Sequence, residues 1–349
     1  MVITYYPWSE EVLHECLTSY DLGEMPTLDL ELTAKCTQAS CIYCDSRPEV
    51  GARHPNELNF RETDKLLKDG KKLGLRWIYT CGLGEPLEDA RLERLVESAS
   101  ALGIRLSMFT NGILIHEQKA KWLHDNGVCL ILKFDTREES TFDRILGKGG
   151  AAAKIYGAVE LLLKAGYTKG CGDGFTDLAF SIVPTSLNVS HIEDVIQYAK
   201  DNNIFPSIGE LEQAGRVFEK QAYGALALSR ETISSLKILA ERILWKGYTR
   251  PICPAIITGV HIDNVGNCVV DSETGLNCKW FLLQEPLVKV IGNVRKNELH
   301  MLLDDVRSYR RSRFSMNGNG VRSCESMEFA FGGCGGSPRR IIQLARQHL

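Results

Sequence analysis

Apolar residues recur along this chain in two alternating registers. Short runs that read as strands lie at residues 27–33, 75–81, 104–110, 128–134, 177–183 and 204–209. Between them fall longer stretches with apolar positions three and four apart, at 62–72, 92–102, 118–126, 152–165, 192–201 and 231–245, and these predict helices. Six units of strand then helix predict parallel strands joined by right-handed crossovers. Six units suit a partial (β/α)6 barrel, open rather than closed by eight, in which ligands sit at the carboxyl ends of the strands. One helix is predicted ahead of the first strand, at 10–20. After residue 247 the pattern changes. Residues 259–271 read as two short strands around the turn Asp263-Asn-Val-Gly266, followed by a helix near 299–311 and the glycine-rich run 331–338. The expected division is an N-terminal helical extension (1–26), an α/β barrel (27–247) and a small cysteine-rich domain (248–349) organised by metal rather than by a large core.

Composition narrows the class. A chain of 349 residues suggests about two domains, and at this size roughly three-quarters of the unfolded surface is buried without staples. With 41 basic and 44 acidic residues and a net charge of −3, nothing points to nucleic acid or an anionic membrane as partner. The N-terminus has neither a basic start nor an apolar signal core, and no apolar stretch approaches the ~18–20 residues of a membrane span. A cytoplasmic protein is expected. There are 12 cysteines, and in a reducing compartment these are not disulfides. Cys16, Cys129 and Cys171 read as small buried hydrophobes, whereas Cys81 lies beside a second motif.

The chemistry begins where the first predicted strand ends. Cys36, Cys41 and Cys44 share one short loop, spaced by four and then two residues. A structural zinc site needs four N or S ligands, and only His54 is a nearby candidate for the fourth. Three clustered thiolates can instead hold three irons of a cubic 4Fe–4S cluster and leave the fourth iron open. The second motif, Tyr79-Thr-Cys-Gly82-Leu-Gly84-Glu85-Pro86, closes the second predicted strand, at the same end of the barrel.

With Thr33 ahead of its first cysteine and Tyr43 before its last, the loop resembles that of the radical S-adenosylmethionine (SAM) enzymes, whose usual spacing is three then two. The resemblance implies that the three thiolates hold the cluster and that the open iron chelates the amino and carboxylate groups of SAM. Electron transfer then releases a 5′-deoxyadenosyl radical. The Gly-x-Gly-Glu-Pro run resembles the family's Gly-Gly-Glu-Pro, with Leu83 in place of a glycine. It implies that Gly82 and Gly84 let the backbone approach SAM and that Glu85 pairs with its ammonium group. Asn111, in Thr110-Asn111-Gly112, resembles a recurrent family turn, and Ser181 on the fifth strand is placed to reach SAM. Lys133 and Asp135 end the fourth strand in a common family pattern. Glu210 and Glu212, after the sixth, are candidates to bind a polar substrate or shuttle a proton.

Five further cysteines, Cys253, Cys268, Cys278, Cys324 and Cys334, with Ile291-Gly-Asn and Cys334-Gly-Gly, resemble the auxiliary-cluster domain called SPASM or its shortened form, twitch. Met327 and Pro338 stand where that pattern has cysteines. Five ligands cannot fill two four-thiolate clusters, so one auxiliary 4Fe–4S is implied. Its favoured ligands are Cys253, Cys268, Cys278 and Cys334, with Cys324 as the substitute. Zinc held by four of these thiols matches softness and count equally well.

The resemblance covers residues 27–340 and fixes the reaction class rather than the substrate. No Asp-x-His-x-x-Gly cobalamin signature is present. Because only 26 residues precede the first predicted strand, a small polar substrate is favoured over a peptide: a sugar, aminocyclitol or amino-acid derivative undergoing oxidation or dehydrogenation. A flavodoxin- or ferredoxin-type reductant is the implied electron donor. Maturation of a ribosomal peptide by crosslinking or epimerisation is the alternative. An iron–sulfur electron carrier or a non-catalytic SAM-binding protein is the alternative of another class, and neither should yield 5′-deoxyadenosine.

Overall fold

The computed structural model describes residues 4–38, 40–44, 52–80, 84–169, 174–209, 211, 215–219, 221–244, 253–271, 288–315 and 347–348. Six strands follow the predicted runs: β2 (Thr27–Leu30), β3 (Trp77–Thr80), β4 (Arg105–Thr110), β5 (Cys129–Lys133), β7 (Leu178–Ile182) and β8 (Phe205–Ile208). They pair in that order, all parallel. Their crossover helices are α2 (Phe60–Lys72), α3 (Leu92–Ala101), α4 (Glu117–Asp125), α6 (Ala151–Ala165) and α7 (Ile192–Asp201), and α10 (Arg230–Ile243) follows β8. Three of them, α2, α4 and α10, start at a side-chain cap. At α2, for example, the Asn59 side chain accepts from the Arg61 and Glu62 amides while Glu62 reaches back to the Asn59 amide, a capping box.

Two core clusters lie on the two faces of this sheet. Leu28, Leu30, Ile78, Met108, Leu130, Leu132 and Phe180 pack outward against the helices. Trp77, Tyr79, Cys129, Ile131 and Phe205 point inward, from the starts to the middles of their strands. There the interior is filled by the N-terminal segment, β1 (Thr4–Tyr5) and α1 (Glu10–Asp21), through Tyr5, Trp8, Val12 and Leu13. The Tyr5 hydroxyl lies 3.0 Å from Ser107 Oγ, and Tyr79 donates to the Pro7 carbonyl at 2.8 Å. β1 also pairs with β6 (Phe175–Thr176). The amino-terminal end of the barrel is therefore plugged, and ligand chemistry is confined to the carboxyl ends of the strands.

One helix was not anticipated. α5 (Glu139–Leu146) occupies the crossover after β5, where a polar, acidic run hides the period. Its end matters below. α8 (Gly215–Glu219) and α9 (Tyr223–Leu226) are short pieces after β8.

The segment after residue 247 differs from the expectation of a domain with little core. α11 (Ala255–Thr258) adds Ile256 and Ile257 to the barrel plug. β9 (Gly259–Ile262) then pairs in parallel with β2, and β10 (Asn267–Asp271) and β11 (Val288–Asn293) continue as an antiparallel hairpin, making one nine-stranded sheet. α12 (Leu299–Ser315) covers it with Leu302, Leu303 and Val306, which join the same helix-side core as the barrel. Among the described residues, the strands and helix after residue 253 thus share one sheet and one core with the barrel, and the expected boundary at 247 and 248 lies outside the described residues. Residues 278, 324 and 334 lie outside the described residues.

Candidate active site at the barrel mouth

The chain leaves β2 still extended, with the Glu31 amide donating to the Ile262 carbonyl at 2.9 Å, and reaches Cys36, Cys41 and Cys44 within a few residues. All three thiols are partly exposed. Burial pushes the Cys36 thiol up to about 12, with Glu85 and then the other two thiols adding to it. Burial likewise pushes Cys41 up to about 11, against the opposing charge of Lys133. The thiols thus feel one another across one small space. A bound metal supplies the positive charge that makes their thiolate forms stable there.

A loop carrying three such groups needs its backbone satisfied from outside, because it belongs to neither helix nor sheet. Five regions do this. The Glu85 amide donates to the Lys35 carbonyl at 2.8 Å. Glu88 accepts from the Thr37 amide at 2.6 Å and from its hydroxyl at 2.8 Å. The carbonyl end of α5 takes the Gln38 side-chain amide and the Ser40 hydroxyl on Leu146, both at 2.9 Å, and the Ile42 amide on Ile145 at 2.9 Å. Arg216 of α8 donates its guanidinium to the Cys41 carbonyl at 2.8 Å and its amide to the Cys44 carbonyl at 2.9 Å. Glu57 holds the start of the loop and is taken up separately below. The long Cys36-to-Cys41 spacing is accommodated by docking Gln38 and Ser40 on a helix terminus, which uses carbonyls that a helix leaves without partners.

The second motif is placed against the loop, as its position after β3 requires. A side chain at Gly84 would sit 2.5 Å from the Lys35 carbonyl oxygen and 2.8 Å from the Ala34 carbonyl carbon. Gly84 therefore permits close contact between two backbones of this chain, the cysteine loop and the strand end. Glu85 is 3% exposed. It accepts from Thr110 Oγ1 at 2.6 Å, the Asn111 amide at 2.7 Å and the Leu87 amide at 3.1 Å. Burial pushes its carboxyl up to about 7, against the pull of those three donors. Asn111 uses its own side chain to accept from the Ile113 amide at 2.9 Å.

Lys133 and Asp135, expected as chemistry-bearing, meet Tyr43 of the loop. The Tyr43 hydroxyl donates to Asp135 and accepts from the Lys133 ammonium, whose Nζ also lies 2.8 Å from Asp135 Oδ2. The other Asp135 oxygen accepts from the Val183 amide at 2.9 Å, and the residue is fully buried. Asp135 is thus a brace that fastens Tyr43 to the ends of β5 and β7, while Lys133 keeps partial exposure. Ser181 is half-buried beside Lys133 in the register of β5 and β7. Cys81, Gly82, Glu210 and Glu212 lie outside the described residues. His54 is exposed and accepts from the Asn56 amide at 3.1 Å, away from the thiols, so the fourth ligand of the zinc alternative is not at hand. Among the described residues no three Cys, His, Asp or Glu side chains converge on single-ion spacing.

The C-terminal cysteines are not treated alike. Cys253 belongs to the barrel-interior cluster with Trp77 and Tyr79. Cys268 pairs across the hairpin with Ile262 and lies fully buried in the helix-side core. The sheet separates Cys253 from Cys268, while Cys278 and Cys334 lie outside the described residues. What joins this region to the barrel is a group the sequence reading missed. His261 Nδ1 donates to Asp29 Oδ2 at 2.8 Å, and its Nε2 lies 3.6 Å from Glu31 Oε1. Burial alone would lower the imidazole, but the two carboxylates outweigh it and raise it to about 10. A signal existed: polar Asp29, Glu31 and Thr33 alternate with Leu28, Leu30 and Leu32, placing three polar groups on the face that lines the barrel.

A partial barrel with three thiols at its mouth, packed against a Gly-Glu-Pro strand end, defines an iron–sulfur protein of the SAM-using kind. The chain belongs to the radical SAM superfamily, which matches residues 30–204. That superfamily uses a 4Fe–4S cluster and SAM, and the donor set here fits: three soft, partly exposed thiols on one loop, with no fourth ligand grouped with them among the described residues. Among curated proteins, the PqqA peptide cyclase of Gluconobacter oxydans is 31% identical over 207 residues, 58% of this chain and 51% of that protein. The mycofactocin maturase MftC of Mycobacterium ulcerans is 28% identical over 190 residues, 54% of this chain and 48% of that protein. The match therefore spans about half the length of these relatives. Among solved structures, Streptococcus suis SuiB bound to SAM superposes with a TM-score of 0.56 at 16% identity, covering 83% of this chain and 68% of that one. That likeness is one of fold. No helix among the described residues is long and apolar enough to cross a membrane.

Proposed function

We propose that this protein is a radical SAM enzyme that modifies a peptide, with a crosslink or a dehydrogenation as the net change. What supports the substrate class is the sequence likeness, over 58% of this chain, to a protein named a PqqA peptide cyclase, with a mycofactocin maturase matching over 54%. The expectation of a small polar metabolite rested on how little chain precedes the first strand, and that is the weaker support. In this reading Cys36, Cys41 and Cys44 hold a 4Fe–4S cluster. Bound cluster and SAM supply the reductive cleavage that yields the 5′-deoxyadenosyl radical, with the electron from a flavodoxin- or ferredoxin-type donor. The chain's own residues fix geometry. Glu85, locked by Thr110 and Asn111, ties the ends of β3 and β4 together beside Cys36. Lys133 and Asp135 hold the Tyr43 ring between the loop and β5, and Ser181 faces the same interior. Cys268 is left as a core residue, so Cys253, Cys278, Cys324 and Cys334 are the four thiols proposed for one auxiliary cluster.

Anaerobic reconstitution followed by dithionite and SAM tests the enzyme reading: 5′-deoxyadenosine should form, and a Cys36→Ala/Cys41→Ala/Cys44→Ala variant should form none. A variant that cleaves SAM like wild type would overturn the assignment. The substrate is tested with synthetic peptides encoded by short reading frames beside the gene, read by mass spectrometry for loss of hydrogen. If amino sugars or aminocyclitols turn over while those peptides stay unchanged, the metabolite reading replaces this one.

A further inference from the structure

We infer that Glu57 is the residue that positions the cysteine loop for its cluster. The inference rests on Cys36, Cys41 and Cys44 being ligands, but it concerns a carboxylate that touches none of them. Glu57 is 6% exposed, and its side chain is held by donors from four separate places. From the start of the loop, the Ala34 amide donates to Oε1 at 2.8 Å and the Thr33 hydroxyl at 3.0 Å. From the far side of the loop, the His54 amide donates to Oε1 at 3.1 Å and Arg53 Nε to Oε2 at 2.9 Å. The Arg91 guanidinium, at the start of α3, lies 3.9 Å from Oε2. Asn264, in the turn between β9 and β10, brings its side-chain amide to 3.5 Å from Oε1.

A buried carboxylate costs several kcal/mol unless donors replace its water. Donors that converge on one therefore mark a place where the chain has been arranged around the charge. Here the arrangement joins Thr33 to Glu57, 24 residues further along the chain. Closing a loop of that length through hydrogen bonds to one charged group removes much of its freedom. The fixed point is the one that matters. Thr33 Oγ1, having donated to Glu57, accepts from the Lys35 amide at 3.1 Å, so Thr33, Ala34 and Lys35 are all set immediately before Cys36. Gly84 packs against the backbone of the same three residues. Glu57 and Gly84 thus both bear on the stem of the first ligand. The hairpin turn shares in this, since the Leu58 amide donates to the Asn264 carbonyl at 2.8 Å and Arg295 donates to the Glu57 carbonyl at 3.3 Å. The sequence offered no sign of it, because an acidic residue ahead of a helix is ordinarily solvated.

The test uses the full chain reconstituted with iron and sulfide, and two readouts other than turnover. These are the rate at which a chelator removes iron, and the change that SAM causes in the EPR spectrum of the reduced cluster. Glu57→Ala should release iron about tenfold faster, the loss of about one charge-assisted hydrogen bond, and should lose the SAM-induced change. Glu57→Gln keeps Oε1 as acceptor for Thr33, Ala34 and His54 and should recover most of both. Thr33→Val, which removes one donor without emptying the site, should give a smaller effect in the same direction. Wild-type release and an intact SAM response in Glu57→Ala would overturn the inference, even with a lower melting temperature. Should Glu57→Ala not fold, wild-type behaviour in both milder variants would overturn it. The triple cysteine variant separates the two levels: if it keeps wild-type iron and SAM response, the ligand assignment itself has failed.

Discussion

Cysteines occur in two settings in this chain, and the contrast separates chemistry from packing. Cys36, Cys41 and Cys44 sit on a loop with no secondary structure of its own, partly exposed, with five regions of the molecule holding the backbone between them. Cys268 sits on a strand, fully buried, with Ile262, Leu302 and Leu303 in the same core. Burial raises the thiol of Cys268 to about 12 as it does Cys36, so the shift alone does not distinguish them. What differs is company. The loop thiols have other thiols as neighbours and polar groups fixing their backbone, whereas Cys268 has the sheet ladder, a largely apolar core and the charges of Arg310, Asp263 and Asp305, with no thiol acting on it. A thiol meant for a metal needs a shared open space more than it needs a particular exposure.

The sharpest way to break this contrast is at Gly84. Gly84→Ala places a methyl group on the Thr33 and Lys35 carbonyls, with backbone rather than any thiol as its nearest neighbours. Forcing the two backbones apart should cut 5′-deoxyadenosine formation at least about tenfold, with iron lost from the loop cluster first. Unchanged nucleoside formation would show that the loop tolerates displacement and that its bracing is incidental.

Next comes the comparison of the two C-terminal thiols themselves. Of about eight irons expected for two 4Fe–4S clusters, Cys253→Ser should lose about four. Cys268→Ser should lose none and instead destabilise the fold by roughly 1–3 kcal/mol, the cost of a hydroxyl without a partner in an apolar core. The reverse pattern in the iron analysis would restore Cys268 to the ligand set and move the structural role to Cys253.

The smallest effect concerns how the hairpin region is joined to the barrel. His261 is raised well above its ordinary 6.5, to about 10, by Asp29 and Glu31, and its charge also acts on the half-buried Asp263 carboxyl. A group raised on folding contributes its stability fully below its unfolded value and loses it as pH climbs through the folded one. The melting temperature should therefore fall between about pH 6.5 and pH 10 more steeply in wild type than in His261→Gln. A parallel pair of curves would mean that the imidazole is not charged in the fold.

Much of this was legible in the residues. The six strand runs and six helical stretches were read from period alone, because parallel strands buried on both faces are continuously apolar and their helices carry an apolar stripe. The cysteine loop and the Gly-Glu-Pro strand end were readable because ligand spacing and glycine needs are local. α5 was missed, since its polar start masks the period, and with it the carbonyl end on which Gln38 and Ser40 dock.

The sequence by itself thus determined the barrel, the loop that carries three thiols and the superfamily, all of which depend on residues near one another in the chain. The tertiary structure decided the rest. It put Glu57 under Thr33, Arg216 over Cys41 and Cys44, His261 against Asp29, and Cys253 and Cys268 on opposite faces of one sheet. Those choices depend on which strand lies beside β2, and a parallel neighbour more than 200 residues away in the chain leaves no periodic trace in the sequence. The physical reason is that pairing and burial act between elements after they form, so the partner of a charge or a thiol is set by the packed sheet and not by its own neighbours.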